Sequence, residues 1–159
     1  MGPTERSALV TGCGKLDGIG AEVARTLARL GFAVVITDIE PAGDLEAVVA
    51  QIADAGGSAS AVLGDVAQEA AAERMVAETV RRHGRIDVLV NNAAAPFGIG
   101  HGDIEAIALA DWDRVIAVNL RGPFLTCRAA VPHMRRQGWG RIVNMSSTAG
   151  RTGGKGNGT

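Results

Sequence analysis

The feature that most constrains the fold is a regular alternation of short apolar runs with longer amphipathic segments. The short runs are ALV at 8–10, AVVI at 33–36, SAVL at 60–63, IDVLV at 86–90 and RIVNM at 141–145. Each run is mostly aliphatic or β-branched, which is typical of a strand buried on both faces. Five strands are therefore predicted, with a helix-length segment between successive strands.

The segments between the runs carry apolar residues at helical spacing. Three stripes are formed by Ile19, Val23, Leu27 and Leu30; by Leu45, Val48, Val49 and Ile52; and by Ala72, Met75, Val76 and Val80. A fourth, longer helix is predicted to be capped by Asp111 and to end near Gly138. Because Pro123 falls inside this helix, we expect a bend or a loosened turn there.

Strands that alternate with helices predict an α/β fold, a Rossmann-type doubly wound parallel sheet with helices on both faces. Ligands of such sheets bind beyond the carboxyl ends of the strands, where the strand order reverses. The residues that directly follow each strand are therefore the candidates for chemistry.

Composition excludes several other classes of protein. The chain has 159 residues, a length that suits one domain, and it is 47% hydrophobic with a net charge of −1. Without a basic block, neither nucleic acid nor a membrane surface is expected as a partner. No apolar run approaches the ~20 residues of a membrane span. Cys13 and Cys127 form no metal-binding or disulfide pattern, so a reducing cytoplasm is the expected location.

The first strand is followed by TGCGKLDGIG, which contains Gly12, Gly14, Gly18 and Gly20. Glycine lets a backbone approach a ligand closely, and the N-terminus of the following helix offers N–H groups and partial positive charge to a diphosphate. The standard G-x-G-x-x-G spacing fails because Asp17 stands at its last position. A simple tight turn is the alternative interpretation.

The second strand is followed by Asp38, about 20 residues after the glycine loop, where a carboxylate can accept hydrogen bonds from an adenosine ribose. A carboxylate would repel a 2′-phosphate, so Asp38 favours NAD over NADP. Lys15 argues weakly for NADP, and a surface aspartate is the alternative for Asp38. Asp65 and Val66 follow the third strand and are placed to touch an adenine ring.

The later strands end in NNAA at 91–94 and in SS at 146–147. Together with TG…GIG, Asp38, Asp65-Val66, NLRGPF at 119–124 and RIVNMSSTAG, these motifs resemble the N-terminal portion of the classical short-chain dehydrogenase/reductase family. The resemblance runs in order over almost the whole chain. Two departures stand out: the glycine loop is two residues longer than the family's T-G-x-x-x-G-x-G, and NNAA replaces the commoner NNAG.

The resemblance implies a role for each matching residue. The expected cofactor-binding residues are Thr11, Gly12, Gly14, Gly18, Ile19, Gly20, Asp38, Ile39, Asp65, Val66, Asn92, Ala93 and Ala94. The expected catalytic residues are Ser147, which fits the family's Ser-x-x-Gly and would hydrogen-bond the substrate oxygen, and Asn119, which would support a proton-relay water.

In the family a Tyr-x-x-x-Lys follows the serine, and counting from Ser147 this tyrosine would fall just after Thr159. The 159 residues contain no tyrosine, and Lys155 precedes the expected position. Residues 1–159 are therefore expected to form one dinucleotide-binding domain that is incomplete at its C-terminus, lacking the last strands and helices.

The function predicted by this resemblance is an NAD(H)-dependent oxidoreductase that moves a hydride between the nicotinamide and an alcohol or ketone. The chain alone is expected to be impaired, and a dimer or tetramer is expected. A non-catalytic dinucleotide-binding module and one part of a split enzyme remain the alternatives.

Other reactive or apolar residues are expected to be structural. Cys13 lies near a helix N-terminus, where its thiol could be somewhat acidic, although space filling is favoured. Trp112 and Met75 are expected in the core. The scattered His83, His101 and His133 show no metal-ligand spacing.

Overall fold

The structure is a computed structural model that describes residues 6–39, 44–95 and 104–148. Its centre is a sheet of five parallel strands in the order β3-β2-β1-β4-β5. The strands are β1 (Ser7–Thr11), β2 (Ala33–Asp38), β3 (Ser58–Leu63), β4 (Val88–Asn91) and β5 (Arg141–Asn144). All five predicted strands are confirmed, with ends that differ by up to two residues.

The helices connect consecutive strands. They are α1 (Ile19–Arg29), α2 (Leu45–Asp54), α3 (Glu69–His83), α4 (Leu109–Ile116) and α5 (Gly122–Arg136). A short 3₁₀ turn spans Ile104–Ala106, and a π-helical segment, Ala117–Arg121, joins α4 to α5. The chain runs outward from β1 to β2 and β3 and then crosses back to β4 on the other side of β1, so the strand order reverses between β1 and β4.

Two apolar cores cover the two faces of the sheet, as the period of two along a strand requires. On one face, Val10 and Ile36 of the central strands pack with Ala24 of α1 and Val48 of α2. On the other face, Leu9, Val35 and Leu89 pack with Met75 of α3 and Ala130 of α5. The predicted Rossmann-type fold with helices on both faces is confirmed.

Some residues of the predicted stripes are exposed. Ile19 is 65% exposed at the start of α1, and the buried positions of that helix are Gly20, Ala21, Ala24 and Ala28. Close packing of α1 on the sheet thus uses small residues, which a stripe of large apolar side chains does not reveal. Trp112 is 52% exposed, so its predicted core position is wrong, whereas Met75 is fully buried.

The long fourth helix is present and carries the loosened turn. Its N-cap is Ala108 rather than Asp111, which lies in the first turn, where a carboxylate suits the helix dipole. The π-helical turn immediately precedes Pro123. Proline has no N–H, and its ring excludes the carbonyl of the residue four positions earlier, here Asn119. The wider turn relieves this conflict at the predicted catalytic asparagine.

The five strands differ in their exposure. Every residue of β1 is buried, whereas every residue of β5 is exposed. Within the described ranges, none of the helices has the length and apolar character that a membrane crossing requires.

Candidate functional site

A cleft of ≈ 660 Å³ opens at the carboxyl edge of the sheet, at the point where the strand order reverses. Four segments form its walls: the glycine loop, the end of β2, the turn after β3 and the segment after β4. A face of the α4–α5 helix closes the far side. The lining residues are Gly12, Lys15, Gly18, Ile19, Thr37, Asp38, Ile39, Gly64, Asp65, Val66, Ala67, Gln68, Asn92, Ala93, Ala94, Ala95, Arg114, Ala117, Val118 and Arg121.

The base of the cleft is a set of hydrogen bonds between the ends of β1 and β4. The Asn92 side-chain amide donates to the carbonyls of Thr11 and Gly12, at 2.9 Å each. In return, the Thr11 hydroxyl oxygen accepts the backbone N–H groups of Asn92 and Ala93, at 3.0 Å each. These bonds cross the reversal point and fix the two strand ends relative to each other.

Gly12 and Gly20 allow close approach between segments of the protein itself. Gly12 has a φ of +73°, and a Cβ there would lie 2.7 Å from the Ala93 Cα. A Cβ on Gly20 would overlap the Gly12 carbonyl oxygen and lie 2.6 Å from the Asn92 amide nitrogen. Both glycines are therefore required for the loop, α1 and β4 to meet at the base of the cleft.

The start of α1 provides groups suited to a bound diphosphate. Gly18 is the N-cap of this helix, so no capping side chain occupies the first N–H groups, and Gly18 and Ile19 both line the cleft. Unpaired N–H groups at a helix N-terminus attract anions. The residues present therefore fit the diphosphate of a dinucleotide.

Asp38 lies at the end of β2 with its carboxylate held by two backbone groups. Its Oδ2 accepts the Gly14 N–H at 2.6 Å, and its Oδ1 accepts the Ile39 N–H at 2.8 Å. Each carboxylate oxygen can accept more than one hydrogen bond, so the side chain retains acceptor capacity toward the cleft that it lines.

The turn after β3 is braced from both sides. The Asp65 carboxylate accepts the Ala67 N–H at 2.8 Å, and Arg121 donates to the Ala67 carbonyl at 3.0 Å. Val66 packs against Gly122 at the start of α5, where a Cβ would lie 2.9 Å from the Val66 Cγ2. The helix after the π turn thus holds the predicted adenine pocket in place.

Neither of the two predicted catalytic residues is among the residues that line the cleft. The Asn119 side-chain oxygen accepts the Ala95 N–H at 2.9 Å, so Asn119 positions the segment after β4. Ser147 follows β5, whose end is tied to β4 because the Asn91 amide donates to the Asn144 side-chain oxygen at 2.8 Å. Met145 N–H also donates to the Asn91 carbonyl at 2.9 Å.

The structure brings most of the predicted cofactor-binding residues into the lining of one cleft. Thr11, Gly14 and Gly20 are the exceptions, because they lie behind the wall and support it. The sequence reasoning missed the helix face formed by Arg114, Ala117, Val118 and Arg121. Their helical spacing was a usable signal, but nothing in the sequence showed which face of the long helix meets the cleft.

Cys13 has no acidic character. Burial raises the pKa of its thiol to about 12, and the nearby Asp38 carboxylate adds to the rise in pKa. The favoured space-filling interpretation agrees with the complete burial of Cys13, and the raised pKa argues against the alternative of a somewhat acidic thiol. In the three described ranges, no group of His, Cys, Asp and Glu side chains is arranged to hold a metal ion. His101 lies outside these ranges.

Comparison with known proteins identifies the family. The model of the short chain dehydrogenase family matches residues 6–159, so the chain belongs to this family. An uncharacterized oxidoreductase of Thermotoga maritima is 43% identical over 145 residues, which cover 91% of this chain and 55% of the relative. A 3-oxoacyl-[acyl-carrier-protein] reductase of Synechocystis is 40% identical, with coverage of 96% and 60%.

A solved structure shows the same fold. A metagenomic short-chain oxidoreductase in complex with NADP is 42% identical and superposes with a TM-score of 0.80, over 91% of this chain and 63% of that protein. The chain therefore spans only somewhat more than half the length of these relatives.

Proposed function

We propose that residues 1–159 form one dinucleotide-binding domain of an oxidoreductase that transfers a hydride between NAD(H) and an alcohol or carbonyl substrate. The single observation that carries the proposal is the cleft, because one concave site at the strand-order reversal collects the glycine loop, Asp38, Asp65 and Asn92.

The lining suggests an arrangement of the dinucleotide. Its diphosphate would lie over Gly12, Gly18 and Ile19 at the N-terminus of α1. The adenosine ribose would bond to Asp38, and the adenine would lie between Ile39 and the Asp65-Val66 turn. The nicotinamide half would pass along the segment Asn92–Ala94. The nicotinamide supplies the hydride acceptor or donor when the cofactor is bound.

The preference for NAD over NADP depends on Asp38. A ribose 2′-hydroxyl can donate to its carboxylate, whereas a 2′-phosphate would meet like charge at short distance. Lys15 also lines this part of the cleft and would favour a phosphate, and the similar solved structure contains NADP. Two backbone N–H groups hold the carboxylate at the end of β2 in the unaltered chain, which supports NAD.

Fluorescence titration of the chain with NADH and NADPH tests both parts of this proposal. We expect NADH to bind about tenfold more tightly, as ~1.4 kcal/mol of differential interaction gives. Asp38→Asn should remove most of this difference because it removes the charge that repels the phosphate. Asp44→Asn is the matched control, since Asp44 accepts the Leu16 N–H of the same loop but does not line the cleft. Tighter binding of NADPH by the unaltered chain would contradict the NAD preference.

Ser147 would donate to the substrate oxygen as charge develops on it, and Asn119 would support the proton relay. The family's tyrosine is the proton donor, and the 159 residues contain none. General acid–base catalysis contributes roughly 10²–10⁴ in rate, so hydride transfer by the chain alone should be slow. Hydride transfer above background from NADH to simple ketones, reduced by Ser147→Ala, would distinguish an oxidoreductase from a non-catalytic module.

Self-association is part of the same proposal. Large apolar side chains on α4 and the following turns are exposed, namely Leu109, Trp112, Ile116, Leu120 and Phe124. Exposed apolar area of this extent is typical of an interface, which supports the predicted dimer or tetramer. Sedimentation of the chain should show a species heavier than the 16.3 kDa monomer, and Phe124→Glu should shift it toward the monomer.

A further inference from the structure

The longer glycine loop makes a specific contact with the end of β2. Backbone N–H groups of Gly12 and Cys13 donate to the Thr37 carbonyl, at 2.8 and 3.1 Å. The next N–H, that of Gly14, donates to the Asp38 carboxylate at 2.6 Å. Three successive backbone N–H groups of the loop therefore bind the end of β2, and the last of them binds the Asp38 carboxylate, which lines the cleft.

Residue 14 has no room for a side chain while Asp38 stays where it is. A Cβ on Gly14 would lie 2.7 Å from the Asp38 Oδ2 and 2.9 Å from its Cγ. Both atoms belong to a side chain, so the Asp38 carboxylate can move aside and relieve the overlap. Gly20 is different, because a Cβ there would meet the Gly12 backbone carbonyl. That carbonyl could move only if the end of β1 moved with it.

Side chains of opposite charge line the cleft, on the end of β2 and on the glycine loop. Asp38 and Lys15 both line the cleft, and Lys15 directly follows Gly14 in the loop. A carboxylate fixed toward the cleft favours a ribose hydroxyl and repels a phosphate, whereas an ammonium group does the reverse. Which cofactor binds more tightly therefore depends on where the carboxylate is held.

We propose that Gly14 is a specificity-determining residue for the dinucleotide: its N–H and its missing side chain fix the Asp38 carboxylate at the ribose position. The inference rests on the proposed NAD preference and adds a residue that acts through Asp38 rather than by contact with the cofactor. With alanine at position 14, the displaced carboxylate no longer offsets the positive charges of Lys15, Arg114 and Arg121, which line the same cleft.

The test compares Gly14→Ala, Asp38→Ala and the double variant by titration with NADH and NADPH. Gly14→Ala should weaken NADH binding about tenfold, the size of one lost hydrogen bond to a charged group, with a smaller change for NADPH. In the double variant, the alanine at position 14 should add nothing to Asp38→Ala, because both changes act through one carboxylate. Asp44→Asn is the control at the same loop and should leave the ratio of the two affinities unchanged.

Three outcomes would overturn the inference while leaving the proposed function intact. The first is a folded Gly14→Ala variant that binds each cofactor as tightly as the unaltered chain does. The second is an equal loss for both cofactors, which would indicate general damage to the loop. The third is an undiminished effect of Gly14→Ala in the Asp38→Ala background. An unaltered chain that binds neither cofactor would overturn the proposed function, and the inference with it.

A second measurement applies if Gly14→Ala does not fold. Amide hydrogen exchange at Gly14 in the unaltered chain should be slow, and Asp38→Ala should accelerate it at least tenfold, because the acceptor of that N–H is gone. A Gly14 amide that exchanges at the same rate in both proteins overturns the inference.

Discussion

The two strands that flank β4 share a partner and a direction but differ in how they are held. β1 pairs on both edges, with β2 and β4, and all of its residues are buried. β5 pairs with β4 alone in the described part of the chain, and all of its residues are exposed. The glycine loop of the proposed cofactor site follows β1, and the proposed catalytic serine follows β5.

Their ends are also fixed differently. The end of β1 is joined to β4 by the Thr11 hydroxyl and the Asn92 amide, which together make four hydrogen bonds of 2.9–3.0 Å. The end of β5 is joined through Asn144 to the buried Asn91, whose oxygen accepts the Thr126 hydroxyl at 2.7 Å. The difference teaches that β1 is enclosed between two neighbouring strands and two layers of helices, whereas the described part of the chain covers β5 on one edge only.

The largest expected difference comes from one substitution made in both strands. Val10 and Val143 lie in the same row of the sheet, each opposite Val90, but Val10 is 0% exposed and Val143 is 45% exposed. Val10→Ala should cost about 2–3 kcal/mol of unfolding free energy, through lost burial and a cavity, and Val143→Ala about 0.5 kcal/mol or less. Urea unfolding measures both, and equal costs would remove the distinction between the strands.

The next effect concerns the hydrogen bonds at the end of β1. Thr11→Val keeps the shape of the side chain but leaves the N–H groups of Asn92 and Ala93 without their acceptor. Loss of a buried acceptor should cost about 2 kcal/mol, and NADH binding should weaken because the base of the cleft loosens. A variant as stable as the unaltered chain would show that the two N–H groups do not need the Thr11 hydroxyl as an acceptor.

A smaller effect is expected at the end of β5. Asn144→Ala removes the acceptor of the Asn91 amide, which should cost about 1 kcal/mol because the neighbouring residues are exposed. NADH affinity should not change, since Asn144 lies outside the cleft lining. Weakened NADH binding in this variant would mean that the two strand ends are coupled.

The smallest effect at neutral pH involves the two thiols. The folded-state pKa of Cys13 is raised from 9.0 to about 12, so the folded chain keeps the proton that the unfolded chain loses. The resulting stability is present below pH 9 and is lost as the pH rises from 9 toward 12. With no tyrosine in the chain, unfolding midpoints measured over this range should fall, and Cys13→Ala should flatten the fall.

Thiol labelling gives the matched comparison. Burial raises the pKa of Cys127 as well, but Cys127 is only partly buried in α5, whereas Cys13 is completely buried within the glycine loop. A thiol reagent at pH 8 should therefore modify Cys127 first. Faster modification of Cys13 would indicate that the glycine loop opens more readily than the surroundings of Cys127 in α5.

Much of the fold and most of the cleft could be predicted from the sequence because they depend on local order. Apolar runs of strand length predicted the five strands. Because the strands are parallel, their carboxyl ends, where Asp38, Asp65 and Asn92 lie, meet at one edge of the sheet. The covering face of the long helix could not be predicted in this way. Arg114 of α4 and Val118 and Arg121 of the π-helical turn reach the cleft, and this placement depends on how the helix packs across the sheet edge.

The sequence by itself determined the alternation of strands and helices, the position of the glycine loop and the polar residues at the strand ends, since these follow from spacing along the chain. Only the tertiary structure decided what the glycines are for. Gly12, Gly14 and Gly20 face Ala93, Asp38 and the Asn92 amide, residues far away in the sequence. The physical reason is that the absence of a Cβ matters only where other atoms pack against that position. Those atoms come from distant parts of the chain, so no local sequence pattern predicts which atoms they are.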